Sequence, residues 1–366
     1  MSRFSKILKI ASICLAAAFF LYVPLFVIPK IGGGADTEKP GQRGIVELWH
    51  VENFDGGSAS RVDWLKGRSK EFESKNKGVY VHVTLYTLEQ VLAAIANGQH
   101  FDLLSFSAGF GTEILSSLRE YQGALNTSDN YTAGGAFEGR QYAVPYMAGG
   151  YFLFGSDENA DLLETLFDKP EKKNASSFAC GYGLANSPLT ALALNAKSLM
   201  PASSKIDIAE GNTQFTAYER FIRGECQILL GTQRDQFRLT NRIQTGKLES
   251  LKAQPLGGFT DLVQYIALSA GSGEMLGMAQ NFIEYLTSDA VQAKLTRCNM
   301  LSVCAIGISV AADAEELEKA LSGAKTVNVF STGAALAALR NQSVECLLNG
   351  QKKDVLFFLT SGGMLP

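Results

Sequence analysis

The stretch IVELWHVENFDGGSASRVDWLKGRSKEFESKNKGVYVHVTLYTLEQVLAAIANGQHFDLLSF, residues 45–106, decides the fold class. Ile45–His50 is a short apolar run typical of a buried strand, and Val79–Tyr86 alternates apolar and polar residues as a strand does. Apolar residues at helical spacing follow each of them, and Phe101–Phe106 indicates a third strand. This alternation predicts an α/β fold with parallel strands, right-handed crossovers and helices on both faces of the sheet.

Two further helices are predicted from the residues next to this unit. Thr87 and Gln90 have the spacing of a capping box, which predicts the start of the helix that precedes the third strand. After the third strand, the pattern predicts another helix over about Thr112–Glu120.

The regular alternation then stops, at a segment that combines extended and turn-forming residues. Tyr142–Phe154 is apolar, but it contains Pro145 and the pair Gly149–Gly150, which predicts a bend and a passage from one domain to the next. Gly257–Gly258 marks a second break of the same kind. Two passages between lobes make a hinge, and a hinge makes a cleft. We therefore expect a first lobe of residues 45–146 and 259–310 and a second lobe of residues 147–258 and 311–366.

Later elements follow from the same periodicities. Strands are predicted at Glu225–Gly231 and Leu262–Ser269, and helices at about Ala160–Phe167, Pro188–Leu199, Thr216–Arg223, Met275–Leu286, Asp289–Thr296, Ala314–Leu321 and Ala334–Leu348.

The N-terminal segment has the charge pattern of an exported protein. Basic residues up to Lys9 precede an apolar run, Ile10–Pro29, so residues 1–30 are either a cleaved signal peptide or a transmembrane anchor. The run is longer than a usual signal core, which favours the anchor slightly, while small residues near 33–35 leave cleavage open. Cys14 follows Ile13, so it lacks the small residue before a lipoprotein cysteine. Residues 31–44 are expected to form a flexible tether.

Five cysteines follow this segment, an odd number, so at least one thiol stays unpaired within a monomer. Cys298 and Cys304 are the nearest pair in sequence and could form a disulfide outside the cytoplasm. Buried free thiols are the alternative.

Composition excludes several classes of function. Of 366 residues, 46% are hydrophobic and 19% charged, which suits about two globular domains. The net charge of -3 offers no basic surface for nucleic acid. Only three histidines are present, without HExxH, CxxC or a P-loop, so we expect no metal, no cofactor and no ATPase activity.

Five motifs, in the same order along the chain, carry a family resemblance. They resemble those of the extracellular solute-binding proteins of ABC importers, the group of maltose-binding and other sugar-binding proteins. The motifs are IVELWH with its following helix and strand, NGQHFDLLSFSAG (97–109), GRQYAVPYMAGG (139–150), FIRGECQILLG (221–231) and AQNFIEYLTSDAVQAKL (279–295). His100 and Phe101 replace a usual proline, Cys226 and Gln227 replace small residues, and the tail after Val303 is matched less clearly.

The resemblance implies a two-lobe periplasmic-binding-protein-like fold, each lobe a mostly parallel sheet flanked by helices, with a hinge and a central cleft. It implies a monomeric, extracytoplasmic binding protein that is not an enzyme. Such a protein closes on a small polar solute, a carbohydrate above all, and delivers it to the membrane permease of an ABC transporter.

Ligands of open α/β sheets bind outside the carboxyl ends of strands, and sugars need aromatic faces together with hydrogen-bonding groups. Tyr146, next to Pro145 at the predicted passage, is the strongest single candidate. The candidate ligand-binding residues are Trp49, His50, Glu52, Ser105, Phe106, Ser107, Tyr146, Tyr182, Gln233, Arg234, Phe259 and Asp261.

Two other functions stay open at this point. A membrane-anchored sensory co-receptor has the same binding chemistry without transport. An anchored glycoside hydrolase needs two carboxylates, for which Glu47, Glu52 and Asp55 lie close in sequence.

Overall fold

Residues 45–106 form the unit that their sequence predicts, in a computed structural model of the chain. Strand β1 (Gly44–Val51) pairs in parallel with β2 (Val79–Tyr86) on one side and with β3 (Leu103–Phe106) on the other. Thr87 begins the second helix with a complete capping box, in which the Thr87 hydroxyl accepts from the N–H of Gln90 and the Gln90 side chain accepts from the N–H of Thr87.

The structure describes residues 43–56, 60–156, 159–167, 177–181, 187–196, 205–207, 213–271, 273–304, 312–349 and 355. All of these described residues belong to one compact unit. The predicted signal peptide or anchor and most of the predicted tether lie outside the described residues. Within the described ranges, no helix combines the length and the apolar character that a membrane span requires.

The strands, in chain order, are β1 Gly44–Val51, β2 Val79–Tyr86, β3 Leu103–Phe106, β4 Leu118–Arg119, β5 Ala136–Phe137, β6 Arg140–Gln141, β7 Ala143–Ala148, β8 Tyr151–Gly155, β9 Ser177–Cys180, β10 Lys205–Asp207, β11 Ile228–Thr232, β12 Lys252–Leu256, β13 Phe259–Thr260, β14 Val263–Ser269 and β15 Lys325–Thr326. The α-helices are α1 Arg61–Lys75, α2 Leu88–Ala96, α3 Asp129–Ala133, α4 Leu162–Phe167, α5 Pro188–Asn195, α6 Gln214–Ile222, α7 Gln233–Gln244, α8 Leu276–Leu286, α9 Asp289–Gln292, α10 Ala312–Ala320 and α11 Gly333–Asn349.

These strands form two large sheets and two small ones, in which β13 pairs with β15 and β5 pairs with β6. The first large sheet has the order β2-β1-β3-β14-β4, with β7 also paired to β14, and the second has the order β10-β9-β11-β8-β12. In each large sheet a parallel part is extended by antiparallel strands that arrive from elsewhere in the chain: β14 is antiparallel to β3, and β8 is antiparallel to β11.

The chain passes between the two sheets at the glycine breaks that the sequence indicates. Strand β7 belongs to the first sheet and β8 to the second, so the first passage is Gly149–Gly150. The second passage lies between β12 and β14 and contains Gly257–Gly258. The two passages bind each other: the N–H of Gly149 donates to the carbonyl of Leu262 (2.7 Å), and the Thr260 hydroxyl donates to the carbonyl of Gly149 (2.6 Å).

One sequence-based prediction of secondary structure is wrong, and one long helix was not predicted. The helix expected over Thr112–Glu120 is a 3₁₀ helix at Thr112–Ser117 followed by β4, because Leu118 and Arg119 pair with the end of β14. Helix α7 stands where only the end of a strand was expected. Its sequence, QRDQFRLTNRIQ, contains only three apolar residues, which is too few to predict a helix by periodicity.

The C-terminal helices pack against elements of the second sheet. Helix α10 contacts β12, and α11 contacts α5, where the hydroxyls of Thr190 and Ser343 lie 2.8 Å apart. The boundaries of the two lobes themselves stay predictions.

Cys298 and Cys304 are free buried thiols and form no disulfide. The Cys298 thiol donates to the carbonyl of Leu295 and the Cys304 thiol to the carbonyl of Thr287, each at 3.2 Å.

We predict that Gly149→Ala destabilises the passage between the sheets. A Cβ at Gly149 would lie 2.1 Å from the amide nitrogen of Gln233, so the Gln233 side chain must move. Overpacking of this kind costs about 1–3 kcal/mol of the free energy of unfolding. Gly67→Ala is the control: its Cβ would meet nothing within 4 Å on helix α1, and it should stabilise by about 1 kcal/mol. Urea unfolding measures both; equal effects of the two substitutions would contradict the prediction.

Candidate functional site

A buried hydrogen-bond network lies beneath the end of β1. The Nδ1 atom of His50 lies 2.8 Å from the hydroxyl of Ser105 on β3, and that hydroxyl lies 2.7 Å from the hydroxyl of Tyr146 on β7. The side-chain amide of Gln264 on β14 donates to the same Ser105 oxygen (3.1 Å) and to the carbonyl of Val51 (3.0 Å). Strands from three parts of the chain are thereby joined through one serine.

This network holds its members away from solvent. His50, Ser105, Tyr146 and Gln264 are all fully buried. Burial lowers the pKa of His50, so the imidazole is neutral at physiological pH. Ser105, His50 and Glu52 form a series reminiscent of a nucleophilic triad, but the Ser105 hydroxyl already contacts three side chains and no solvent. The arrangement therefore positions the strand ends and offers no accessible nucleophile.

Glu52 begins the loop after β1 and is held as a carboxylate. One of its oxygens lies 3.5 Å from Nε2 of His50 and accepts from the backbone N–H of Val62 at 2.8 Å. Partial burial opposes ionisation, but the contact with His50, the charge of Arg61 and the N–H of Val62 outweigh it and lower the pKa of Glu52 to about 2.

The protonation of Glu52 bears on the hydrolase alternative. A general acid of a glycosidase needs a raised pKa, and that of Glu52 is lowered. The other two carboxylates are bound to basic partners: Glu47 lies 2.9 Å from His82, and Asp55 lies 2.6 Å from Arg234. These three groups therefore do not form an acid and nucleophile pair.

Arg61, at the start of α1, fixes the rest of the loop after β1. Its guanidinium donates to the carbonyls of Phe54 (2.8 Å) and Gly56 (3.3 Å) and lies over the Phe54 ring, 3.9 Å from its centroid. Only 2% of Arg61 is exposed. The loop is thus wrapped around a buried positive charge.

The first turn of helix α7 lies opposite the loop that follows β1. It begins directly after β11 of the second sheet with a capping box formed by Thr232 and Asp235. The side-chain oxygen of Gln233 accepts from the N–H of Gly150 at 3.1 Å, and its nitrogen lies 3.1 Å from the sulfur of Met300. Gln233 therefore ties the first turn of α7 to the first passage between the sheets.

Asp235 is the buried anchor of this turn. It accepts from the N–H of Thr232 (3.0 Å) and from the side-chain amide of Gln214 (2.5 Å), and it lies 3.3 Å from Arg238. Burial raises its pKa to about 6.

An ion pair connects α7 to the loop that follows β1. Nη1 of Arg234, on α7, lies 2.6 Å from Oδ1 of Asp55, in the loop after β1. The two side chains are 36% and 24% exposed, so the pair stands at the border of solvent. We define the cleft as the region between the loop Glu52–Gly56, which is its first wall, and the first turn of α7, which is its second wall.

The predicted site residues differ in where the structure places them. His50, Glu52, Ser105, Tyr146, Gln233 and Arg234 lie at or directly beneath the cleft. Trp49, Phe106 and Phe259 are buried in hydrophobic packing; Trp49, for example, lies between Tyr86 and Phe101 with ring centroids 4.9 Å from each. The buried hydroxyl of Ser107 contacts the side chain of Asn53, and Tyr182 lies outside the described residues.

Asp261 lies in the second passage between the sheets. It accepts from the hydroxyl of Tyr151 at 2.5 Å, and that hydroxyl accepts from the backbone N–H of Ser187 at 3.0 Å. Asp261 is 3% exposed, and burial raises its pKa to about 6. It therefore links the hinge to helix α5.

Sequence analysis missed three residues of the site: Asp55 as an ion-pair partner, Arg61 and Gln264. One signal was available for Gln264, a single amide within the otherwise apolar strand β14. Among the described residues, no cluster of side chains is suited to a metal ion.

Comparison with known proteins defines the class of fold. No protein-family model matches the chain, and no curated protein sequence matches it. Solved structures do. The sugar-binding protein MalE of Xanthomonas citri superposes with a TM-score of 0.61 at 14% identity, over 87% of this chain and 96% of that chain. The GacH receptor of Streptomyces glaucescens, solved unliganded and with acarbose, gives 0.57 at 14% identity over 88% and 98%.

A third solved structure is the galacto-N-biose/lacto-N-biose I-binding protein of an ABC transporter of Bifidobacterium longum, in complex with lacto-N-biose. It gives a TM-score of 0.53 at 10% identity over 89% of this chain and 100% of that chain. The predicted two-lobe periplasmic-binding-protein-like fold is confirmed. At these identities the likeness establishes the fold, and the proteins compared are binding proteins rather than enzymes.

We predict that Asp261→Asn removes a pH dependence of stability. Unfolded aspartate titrates near pH ~3.9, so between that pH and about 6 the folded protein binds the Asp261 proton more tightly than the unfolded chain does. The wild-type protein should therefore lose up to about 3 kcal/mol of stability relative to the variant as the pH rises through this window. Urea unfolding from pH 4 to 8 measures it, with the exposed Asp63→Asn as control. A constant difference between wild type and Asp261→Asn would contradict the prediction.

Proposed function

We propose that this protein is an extracytoplasmic solute-binding protein that captures a saccharide in its cleft by hinge closure. The observation that carries the proposal is the facing of two strand-end walls, one from each sheet, that meet through Asp55 and Arg234. Side chains at the carboxyl ends of β1 and β11 converge there, which is where α/β sheets place their ligands.

The chemistry of the walls suits a polyhydroxylated ligand. Glu52 and Arg234 offer a partly exposed carboxylate and guanidinium group that accept from or donate to hydroxyls. The three solved structures compared above support this choice, because two of them were determined with a bound saccharide. The buried His50–Ser105–Tyr146 network holds the first wall in place beneath the ligand.

Closure needs a hinge, and the two hydrogen-bonded passages at Gly149 and Leu262 supply one. A ligand that contacts both walls favours the closed form by its differential affinity for the two forms. At a micromolar Kd the total binding free energy is about -8 kcal/mol, which includes the cost of closing.

Delivery to an ABC permease completes the proposal. The sequence of residues 1–30, a basic start followed by an apolar run, supports export and attachment to the membrane. Attachment raises the local concentration of the protein near a membrane partner. We propose that it acts as a monomer and without catalysis.

A thermal-shift panel of purified full-length protein with saccharides tests the proposal. A saccharide at 100 times its Kd should stabilise the protein by about 2.7 kcal/mol. Glu52→Gln should weaken binding at least tenfold, because it removes a carboxylate from the first wall, while Glu113→Gln, on an exposed 3₁₀ turn, should not. No shift with any saccharide, together with a shift from an oligopeptide or a polyamine, would end the carbohydrate proposal.

A further inference from the structure

Asp55 occupies a strongly cationic place in the cleft. Its carboxylate lies 2.6 Å from Nη1 of Arg234. Arg61, from the other wall, acts electrostatically on both Asp55 and Arg234. A small acidic side chain on a loop thus sits where guanidinium groups from two walls converge.

Arg61 keeps an unused hydrogen-bond donor in this place. Its two terminal nitrogens donate to the carbonyls of Phe54 and Gly56, but its Nε is buried and has no hydrogen-bond partner. A buried donor without an acceptor costs free energy. The Arg61 side chain is therefore a buried positive charge whose hydrogen-bond donors are not all satisfied.

The charges of the site balance only while Asp55 is present. The positive groups of the site are Arg61, Arg234 and Arg238. The negative groups of the site are Glu52, Asp55 and Asp235. If the Asp55 side chain leaves, one positive charge is uncompensated. A single carboxylate from outside restores the balance.

The place of Asp55 allows such an exchange. Asp55 lies in the loop after β1, next to Gly56, and its side chain is 24% exposed, so water can solvate it when it leaves Arg234. Arg234 is held by its backbone in the first turn of α7, where its N–H donates to the Thr232 hydroxyl at 3.3 Å. Arg234 thus extends from a regular helix, whereas Asp55 lies on a loop.

We infer that the cleft recognises a saccharide that carries one carboxylate, such as a uronic acid residue, and that Asp55 takes the position of this carboxylate in the ligand-free protein. The inference rests on the function proposed above and narrows its substrate class. Arg234 binds the incoming carboxylate through a planar, bidentate fork, which a neutral hydroxyl does not fill. The partly exposed carboxylate of Glu52 remains available for the hydroxyls of the sugar.

Calorimetric titration of the full-length protein with pairs of disaccharides tests this inference. Each pair joins an acidic disaccharide with one uronate carboxylate, such as cellobiouronic acid, to its neutral parent, such as cellobiose. We expect at least one acidic member to bind ten times more tightly than its parent. Arg234→Gln should remove that preference, whereas Arg223→Gln, an exposed arginine beside Glu225 on the same lobe, should keep it.

The variant Asp55→Asn distinguishes the inferred role of Asp55, a competitor of the ligand carboxylate, from two other roles. In those, Asp55 only holds the two walls together, or it binds the sugar itself. Removal of the internal competitor should tighten binding of the acidic disaccharide at least tenfold and leave the neutral parent nearly unchanged. Weaker binding of both members in Asp55→Asn overturns the inference. Neutral saccharides that bind as tightly as acidic ones also overturn it and leave the proposed function standing, while no binding by any saccharide overturns both.

Discussion

Gly149 is hydrogen-bonded to both Leu262 and Thr260, and these bonds fix where the two sheets meet. They bind together the two segments by which the chain passes between its sheets. Because both passages lie at one edge of each sheet, the carboxyl ends of β1 and β11 face each other. A Cβ at Gly149 would reach the Gln233 amide, so glycine is required where the first passage meets the first turn of α7.

The site contains two kinds of polar contact, a buried hydrogen-bond network and a partly exposed ion pair. The buried network of His50, Ser105, Tyr146 and Gln264 has no access to solvent, so its members fix the geometry of the first wall. The half-exposed contact of Asp55 with Arg234 joins the walls and is weak enough to exchange, since exposed ion pairs contribute only about 0–1 kcal/mol. A cleft that closes needs both: a rigid network that holds the wall in place, and a weak contact between the walls that a ligand can replace.

The two sheets and the two passages between them can be predicted from the sequence because both leave local signals in it. Apolar alternation marks β2, and paired glycines mark the ends of β7 and β12. Helix α7 was missed because its apolar residues are few, although the Thr232–Asp235 capping box was a usable start signal. The contact between Asp55 and Arg234 joins residues 179 positions apart, and no spacing rule predicts it. Trp49 and Phe106 were chosen as strand-end aromatics, yet the pleat turns both into the core.

We propose that the two sheets move toward each other around a ligand. Spin labels at two exposed positions, Lys66→Cys on α1 and Gln244→Cys at the end of α7, allow the distance between the walls to be measured by pulsed electron resonance. We expect a distribution that includes a longer distance without ligand and a single shorter distance with a stabilising saccharide. A distribution that the same saccharide leaves unchanged would contradict a closing cleft.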